Sequence, residues 1–87
     1  MIMEYGIQIT GTEITSENRN NISNFSGVSG RVSFDPDIDT LTLDNATITA
    51  TGEDGDGINN WIDGLTIKLI GSNTITSYDE EGIYNDN

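Results

Sequence analysis

The chain has 87 residues, enough for one small domain, and a formal net charge of −12 from 15 acidic residues against Arg19, Arg31 and Lys68. A surface that acidic repels phosphate backbones and anionic membranes, which argues against nucleic-acid binding. The absence of histidine and cysteine removes the commonest general base, zinc-type metal sites and disulfide staples.

Val, Ile, Leu and Phe make up 21 of the 87 residues, 13 of them Ile. That is just above the ~20% level below which a highly charged chain is expected to stay unfolded, so periodicity has to decide. It favours folding. Tyr5-Gly6-Ile7-Gln8-Ile9 and Glu13-Ile14-Thr15 alternate apolar with polar residues, and Thr10-Gly11-Thr12 between them suits a hairpin turn. Ser16 to Ile22 has an N-cap candidate at Ser16 and room for one or two helical turns, which three Asn weaken. Ser23 to Gly30 reads as a loop.

Arg31-Val32-Ser33-Phe34 is a strand with Val32 and Phe34 on one face. Asp35-Pro36-Asp37-Ile38-Asp39 is a turn, Pro setting φ and Asp capping the backbone, so residues 31–43 form a second hairpin. The stretch Thr40 to Thr49 places Leu41, Leu43, Ala46 and Ile48 on a buried face and threonines on a solvated one, with a corner at Asp44-Asn45.

The pattern then repeats. Leu41 and Leu43 match Ile67 and Leu69 at an offset of 26; Thr47-Ile48-Thr49 matches Thr74-Ile75-Thr76 at 27; Gly57-Ile58-Asn59 matches Gly82-Ile83-Tyr84 at 25. Short strands recurring with a period in the twenties are the mark of a β-solenoid coil. Leu43, Ile48 and Ile58 are expected to point inward below Leu69, Ile75 and Ile83, with Asn45 and Asn73 stacked as a ladder at the corner. Residues 1–40 are then capping hairpins and residues 41–87 two coils of one domain. Two coils are fewer than such arrays usually need, so the chain reads as a cap and two coils cut from a longer solenoid, with an open C-terminal edge prone to self-association. Nothing in the chain is long and apolar enough to span a membrane, and Met1-Ile2-Met3-Glu4 is not a signal peptide. That leaves a cytosolic protein or a piece of an exported one.

The run Gly30-x-Val32-Ser33-Phe34-Asp35-Pro36-x-x-x-Thr40-Leu41-Thr42-Leu43-x-Asn45-Ala46-Thr47-Ile48 resembles the opening signature of exported bacterial repeat proteins of right-handed β-helix, pectate-lyase-like type. These proteins are labelled as carbohydrate-binding domains. Ile9-x-Gly11-x-x-Ile14-Thr15-x-x-Asn18 is similar to the hairpin before that signature, and Leu65-Thr66-Ile67 and Gly82-Ile83-Tyr84 are similar to its coil repeats. The likeness runs from Tyr5 to Asn85. It implies an all-β fold, an N-terminal β-hairpin cap followed by about two coils of a right-handed parallel β-helix. It also implies an extracellular or cell-surface binding or structural module rather than an enzyme. Asn60-Trp61-Ile62-Asp63 departs from the pattern, standing where a coil junction usually carries small polar residues.

Trp61, the only tryptophan, lies between coils and is a candidate stacking platform for a sugar ring, extended by Tyr84 and Tyr78 and flanked by the amides of Asn59 and Asn60. Trp61 and Ile62 suit equally a lid over the core under the N-terminal hairpin. The acidic loops are calcium candidates: Glu53, Asp54 and Asp56 in one coil, Asp79 and Glu80 beside Glu81 in the next. The same residues serve as a solvated surface that keeps an edge-rich β-protein soluble. The expected function is therefore a non-catalytic, carbohydrate-binding solenoid module with polysaccharide as partner and calcium as its one candidate cofactor. The alternative is a structural or adhesive repeat that binds protein or a second copy and takes no glycan.

Overall fold

The computed structural model describes residues 2–51, 55–78 and 81–85. Among them the fold is all-β. Strands β1 (Glu4–Ile9), β2 (Thr12–Thr15), β3 (Val28–Asp35), β4 (Thr40–Ala50), β5 (Ile58–Asn60), β6 (Thr66–Ile70), β7 (Thr74–Ser77) and β8 (Ile83–Asn85) form two open sheets. One has the order β2-β1-β5-β8; the other has the order β3-β4-β6, with β7 also on β4. No helix among the described residues is long and apolar enough to cross a membrane.

Each predicted hairpin forms through its turn chemistry. Thr10 and Gly11 both take positive φ, 48° and 84°, as a two-residue turn matched to strand twist requires. Thr10 is held there by its hydroxyl, which donates to the Ser26 carbonyl at 2.7 Å, and by its N–H, which donates to the Gly57 carbonyl at 3.0 Å. In the second hairpin Asp35 Oδ1 accepts the Asp37 N–H at 3.0 Å, closing the turn that hands β3 to β4.

The candidate helix after Ser16 does not form. Ser16 spends its hydrogen bonds on Met3, its N–H donating to the Met3 carbonyl at 2.9 Å and its Oγ accepting the Met3 N–H at 3.0 Å. Asn18 bonds the backbone of Thr15 and Glu13 through its side chain, and the backbone closes only isolated turns, Arg19 N–H donating to the Thr15 carbonyl at 3.0 Å and Asn21 N–H to the Asn18 carbonyl at 2.8 Å. A single 3₁₀ turn, Ile22–Asn24, follows and buries Ile22 completely.

The central strand is β4. It pairs antiparallel with β3 on one side and parallel with β6 and β7 on the other. At Asn45 it bulges rather than breaks: Asn45 has φ 49°, and two residues there oppose Gly30 alone, because Ser29 pairs with Thr47 and Arg31 with Asp44. Gly30 has φ 86°, and a Cβ on it would lie 2.3 Å from the Asn45 carbonyl oxygen, so the bulge demands glycine.

The parallel pairs carry the internal repeat. Leu41 pairs with Ile67 and Leu43 with Leu69, Ile48 with Ile75, and Ile58 with Ile83. At the bulge the asparagines do not form a ladder; each caps the other's backbone. Asn45 Oδ1 accepts the Ser72 N–H at 3.2 Å, and Asn73 Oδ1 accepts the Ala46 N–H at 2.7 Å. Gly71 leaves room for the Asn45 amide, which a Cβ there would meet at 2.3 Å.

The right-handed parallel β-helix implied by the resemblance is reached only as an all-β fold, since both sheets are mixed and neither closes. Antiparallel pairing joins β1 to β2 and β5, and β3 to β4, three of the six strand pairs among the described residues. The core lies between the sheets: Ile7, Ile9, Ile14 and Ile58 from one, Val28, Val32, Phe34, Leu41, Leu43, Ala46 and Ile48 from the other, with Ile22 beneath. The expected inward columns are buried only in their lower members. Leu43, Ile48 and Ile58 are fully buried, whereas Leu69 is 63% and Ile83 49% exposed and Ile75 is half-buried. No described strand lies above them.

Candidate functional site

Alternation in β1 and β5 sorts one sheet into two faces. Ile7 and Ile9 turn to the core, and so do their partners on β5, Asn60 and Ile58. The residues between them turn outward. Gln8 pairs with Glu13 on one side and with Asn59 on the other, and Asn59 pairs with Tyr84. Glu13, Gln8, Asn59 and Tyr84 thus form a row across four strands. Trp61, just past the end of β5, sits beside this row; its N–H donates to the Gly6 carbonyl at 2.9 Å. Trp61 is 41% and Tyr84 43% exposed.

Polar groups on this face are partly committed. Glu13 Oε2 accepts the Gly6 N–H at 3.2 Å. Asn59 Nδ2 donates to Asp56 Oδ2 at 3.1 Å, while Asn59 Oδ1 is shielded from solvent with no hydrogen-bond partner among the described residues.

Two of the residues expected at the site lie elsewhere. Asn60 is only 4% exposed and turns inward. Its Nδ2 donates to the Ile62 carbonyl at 3.0 Å and to Asn85 Oδ1 at 2.8 Å, and its Oδ1 accepts the Ile62 N–H at 3.1 Å. Asn60 therefore braces the loop that carries Trp61. Tyr78 follows β7 in the other sheet, 69% exposed, with its N–H donating to the Ala50 carbonyl at 3.3 Å.

Of the calcium candidates, Glu53, Asp54, Asp79 and Glu80 lie outside the described residues. Asp56 is described, and both its carboxylate oxygens accept hydrogen bonds: Oδ1 from the Glu81 N–H at 2.8 Å and Oδ2 from Asn59. It ties the two copies of the repeat together. Among the described residues no group of three or more acidic side chains converges on a metal-sized site. Arg19 donates from Nη1 to the Phe34 carbonyl at 3.3 Å and accepts the Phe34 N–H on its own carbonyl at 3.0 Å, so it serves the edge of β3.

Gln8 and Glu13 are site residues that the sequence reading did not single out. The hairpin pairing of Glu13 with Gln8 follows from alternation around the Thr10-Gly11 turn. The placement of Gln8 beside Asn59 depends on an antiparallel β1–β5 pair between distant segments, which no local signal announces. Comparison of the chain with protein-family models, with curated proteins and with solved structures finds no match.

Proposed function

We propose that this chain is a non-catalytic binding module that takes polysaccharide on the outer face of the β2-β1-β5-β8 sheet, as the resemblance to exported carbohydrate-binding solenoid proteins implies. The observation that supports the reading is the exposure of the sole tryptophan, directly after β5, together with that of Tyr84, which pairs with Asn59 of β5. The C–H faces of a sugar ring stack on such rings, while its hydroxyls meet the Gln8 amide and the Glu13 carboxylate. In this reading the parallel pairs at offsets of 25–27 are the first turns of a right-handed β-solenoid on an antiparallel cap, and the module works outside the cell. The charge of −12 favours neutral polymers over uronic-acid polymers.

A glycan array tests this, probed in calcium-containing buffer and again with chelator. The intact protein is expected to bind, with neutral glycans ahead of acidic ones, and Trp61→Ala to lose the signal while remaining folded by circular dichroism. Binding that survives Trp61→Ala would remove this face from consideration. A signal lost on chelation alone would transfer the site to the acidic loops.

A further inference from the structure

A cleft of about 470 Å³ opens where the start of β1, the β3–β4 turn and the loop after β5 meet, lined by Met3, Tyr5, Pro36, Asp37, Asp39 and Ile62. None of these residues belongs to the row of Glu13, Gln8, Asn59 and Tyr84. The apolar walls are held in place. Tyr5 packs on buried Phe34, the ring centroids 5.3 Å apart and the planes tilted by 48°. Met3 exchanges two hydrogen bonds with Ser16, and the Ile62 N–H and carbonyl are both bonded to the Asn60 side chain. The turn is anchored as well: Asp37 donates its N–H to Asp35 Oδ1 at 3.0 Å, and the Asp39 carbonyl accepts the Thr66 N–H at 2.9 Å. A cleft whose backbone is fixed on every side loses little freedom when it is filled. Asp37 and Asp39 are exposed, and among the described residues neither carboxylate accepts a hydrogen bond or meets a cation.

We infer that this cleft takes an arginine side chain presented by a partner polypeptide. Its methylene stem covers the apolar walls of Met3, Pro36 and Ile62, and its guanidinium lies against the Tyr5 ring and donates to Asp37 and Asp39. Two unpaired carboxylates on a chain of net charge −12 select a cation. The walls then decide which one. A bare calcium ion takes about six to eight oxygens, and among the described residues no third acidic side chain converges with these two. The lysine ammonium is compact and strongly hydrated, so it gives up more water on entering an apolar cleft. The guanidinium is planar, weakly hydrated and stacks on aromatic faces, and its several N–H groups serve two separate carboxylates at once.

The probe is the capped tripeptide acetyl-Gly-Arg-Gly-amide, titrated at low salt into isotope-labelled protein and followed by amide chemical shifts. Saturable shifts are expected at Tyr5, Asp37 and Ile62. They should be weaker with the lysine peptide and lost with the citrulline peptide, which keeps the shape of arginine and drops its charge. Asp37→Asn with Asp39→Asn is expected to weaken binding by roughly fivefold or more, whereas Asp44→Asn with Glu81→Gln, the same loss of charge outside the cleft, changes it by less than about twofold. Asparagine accepts the positive φ of Asp39, 48°, so the cleft variant keeps its turn. Shifts spread over the whole acidic surface, or equal weakening in the two double variants, overturn the inference, because charge alone would then be acting. So does equal affinity for the lysine or the citrulline peptide. Shifts at the cleft on adding xylan, with none on adding the arginine peptide, also overturn it and make the cleft part of the glycan site.

Discussion

Ile58 and Ile83 occupy the same column, one strand apart in parallel register, and differ only in what covers them. Ile58 is fully buried, while Ile83 is 49% exposed. Truncating Ile58 to alanine removes buried methyl groups and leaves a cavity, a loss of about 2–5 kcal/mol. Ile83→Ala gives up only about half of the ~1.5–3 kcal/mol that full burial of such a side chain contributes, close to 1 kcal/mol. Both changes lower strand propensity alike, so that contribution cancels in the comparison. For a domain of this size the gap corresponds to a melting point lower by roughly 4–8 °C for each kcal/mol, with Ile58→Ala the less stable variant. Urea titrations of the three proteins, read by circular dichroism, measure the difference. Equal losses would refute the claim that the core ends at the lower layer.

Three further outcomes follow from single contacts. Asn73→Ala strips the acceptor from the Ala46 N–H, whose residue is 1% exposed, and is expected to cost about 1–3 kcal/mol, whereas Asn73→Asp in moderate salt retains most of the stability. Gly30→Ala sets a Cβ against the Asn45 carbonyl at φ 86° and is expected to lower the urea midpoint by the equivalent of about 1–3 kcal/mol or more; a neutral result would show that the bulge relaxes freely. Calcium at millimolar level is expected to raise the melting temperature if the acidic loops hold it, with chelator reversing the gain; Asp56→Asn, which keeps an acceptor for the Glu81 N–H, then removes the calcium response without unfolding the protein.

The parts of this fold that were legible in the sequence are those with local or periodic causes. Thr10-Gly11 and Asp35-Pro36-Asp37 announce their turns by residue chemistry, and alternation from Thr40 to Ala50 assigns the buried face of β4. The offsets of 25, 26 and 27 between matching residues are the registers of β5 with β8, β4 with β6 and β4 with β7. What was not legible is pairing between segments unlike each other in sequence. The antiparallel addition of β1 to β5 has no repeat to betray it, and it makes one sheet mixed and assembles Glu13, Gln8, Asn59 and Tyr84 into a row. Asn45 and Asn73 were marked as a corner, but their reciprocal capping required the bulge opposite Gly30 to be seen. Within the candidate site, Tyr84 follows from position in the repeat, and Trp61 stands out as the only tryptophan in a segment that departs from it. The inward turn of Asn60 was not legible, because it is a consequence of pairing with buried Ile7 across the β1–β5 junction.

Because Trp61 is the only tryptophan, its emission reports on the proposed binding face alone. The most direct measurement is therefore a tryptophan fluorescence titration of the intact protein with neutral soluble polysaccharides, xylan and mixed-linkage β-glucan, against polygalacturonate as the acidic comparison. The account predicts a saturable change in Trp61 emission with a neutral polymer, larger than with the acidic one and diminished by Tyr84→Ala. Emission unchanged by every polymer at millimolar sugar concentration would contradict it.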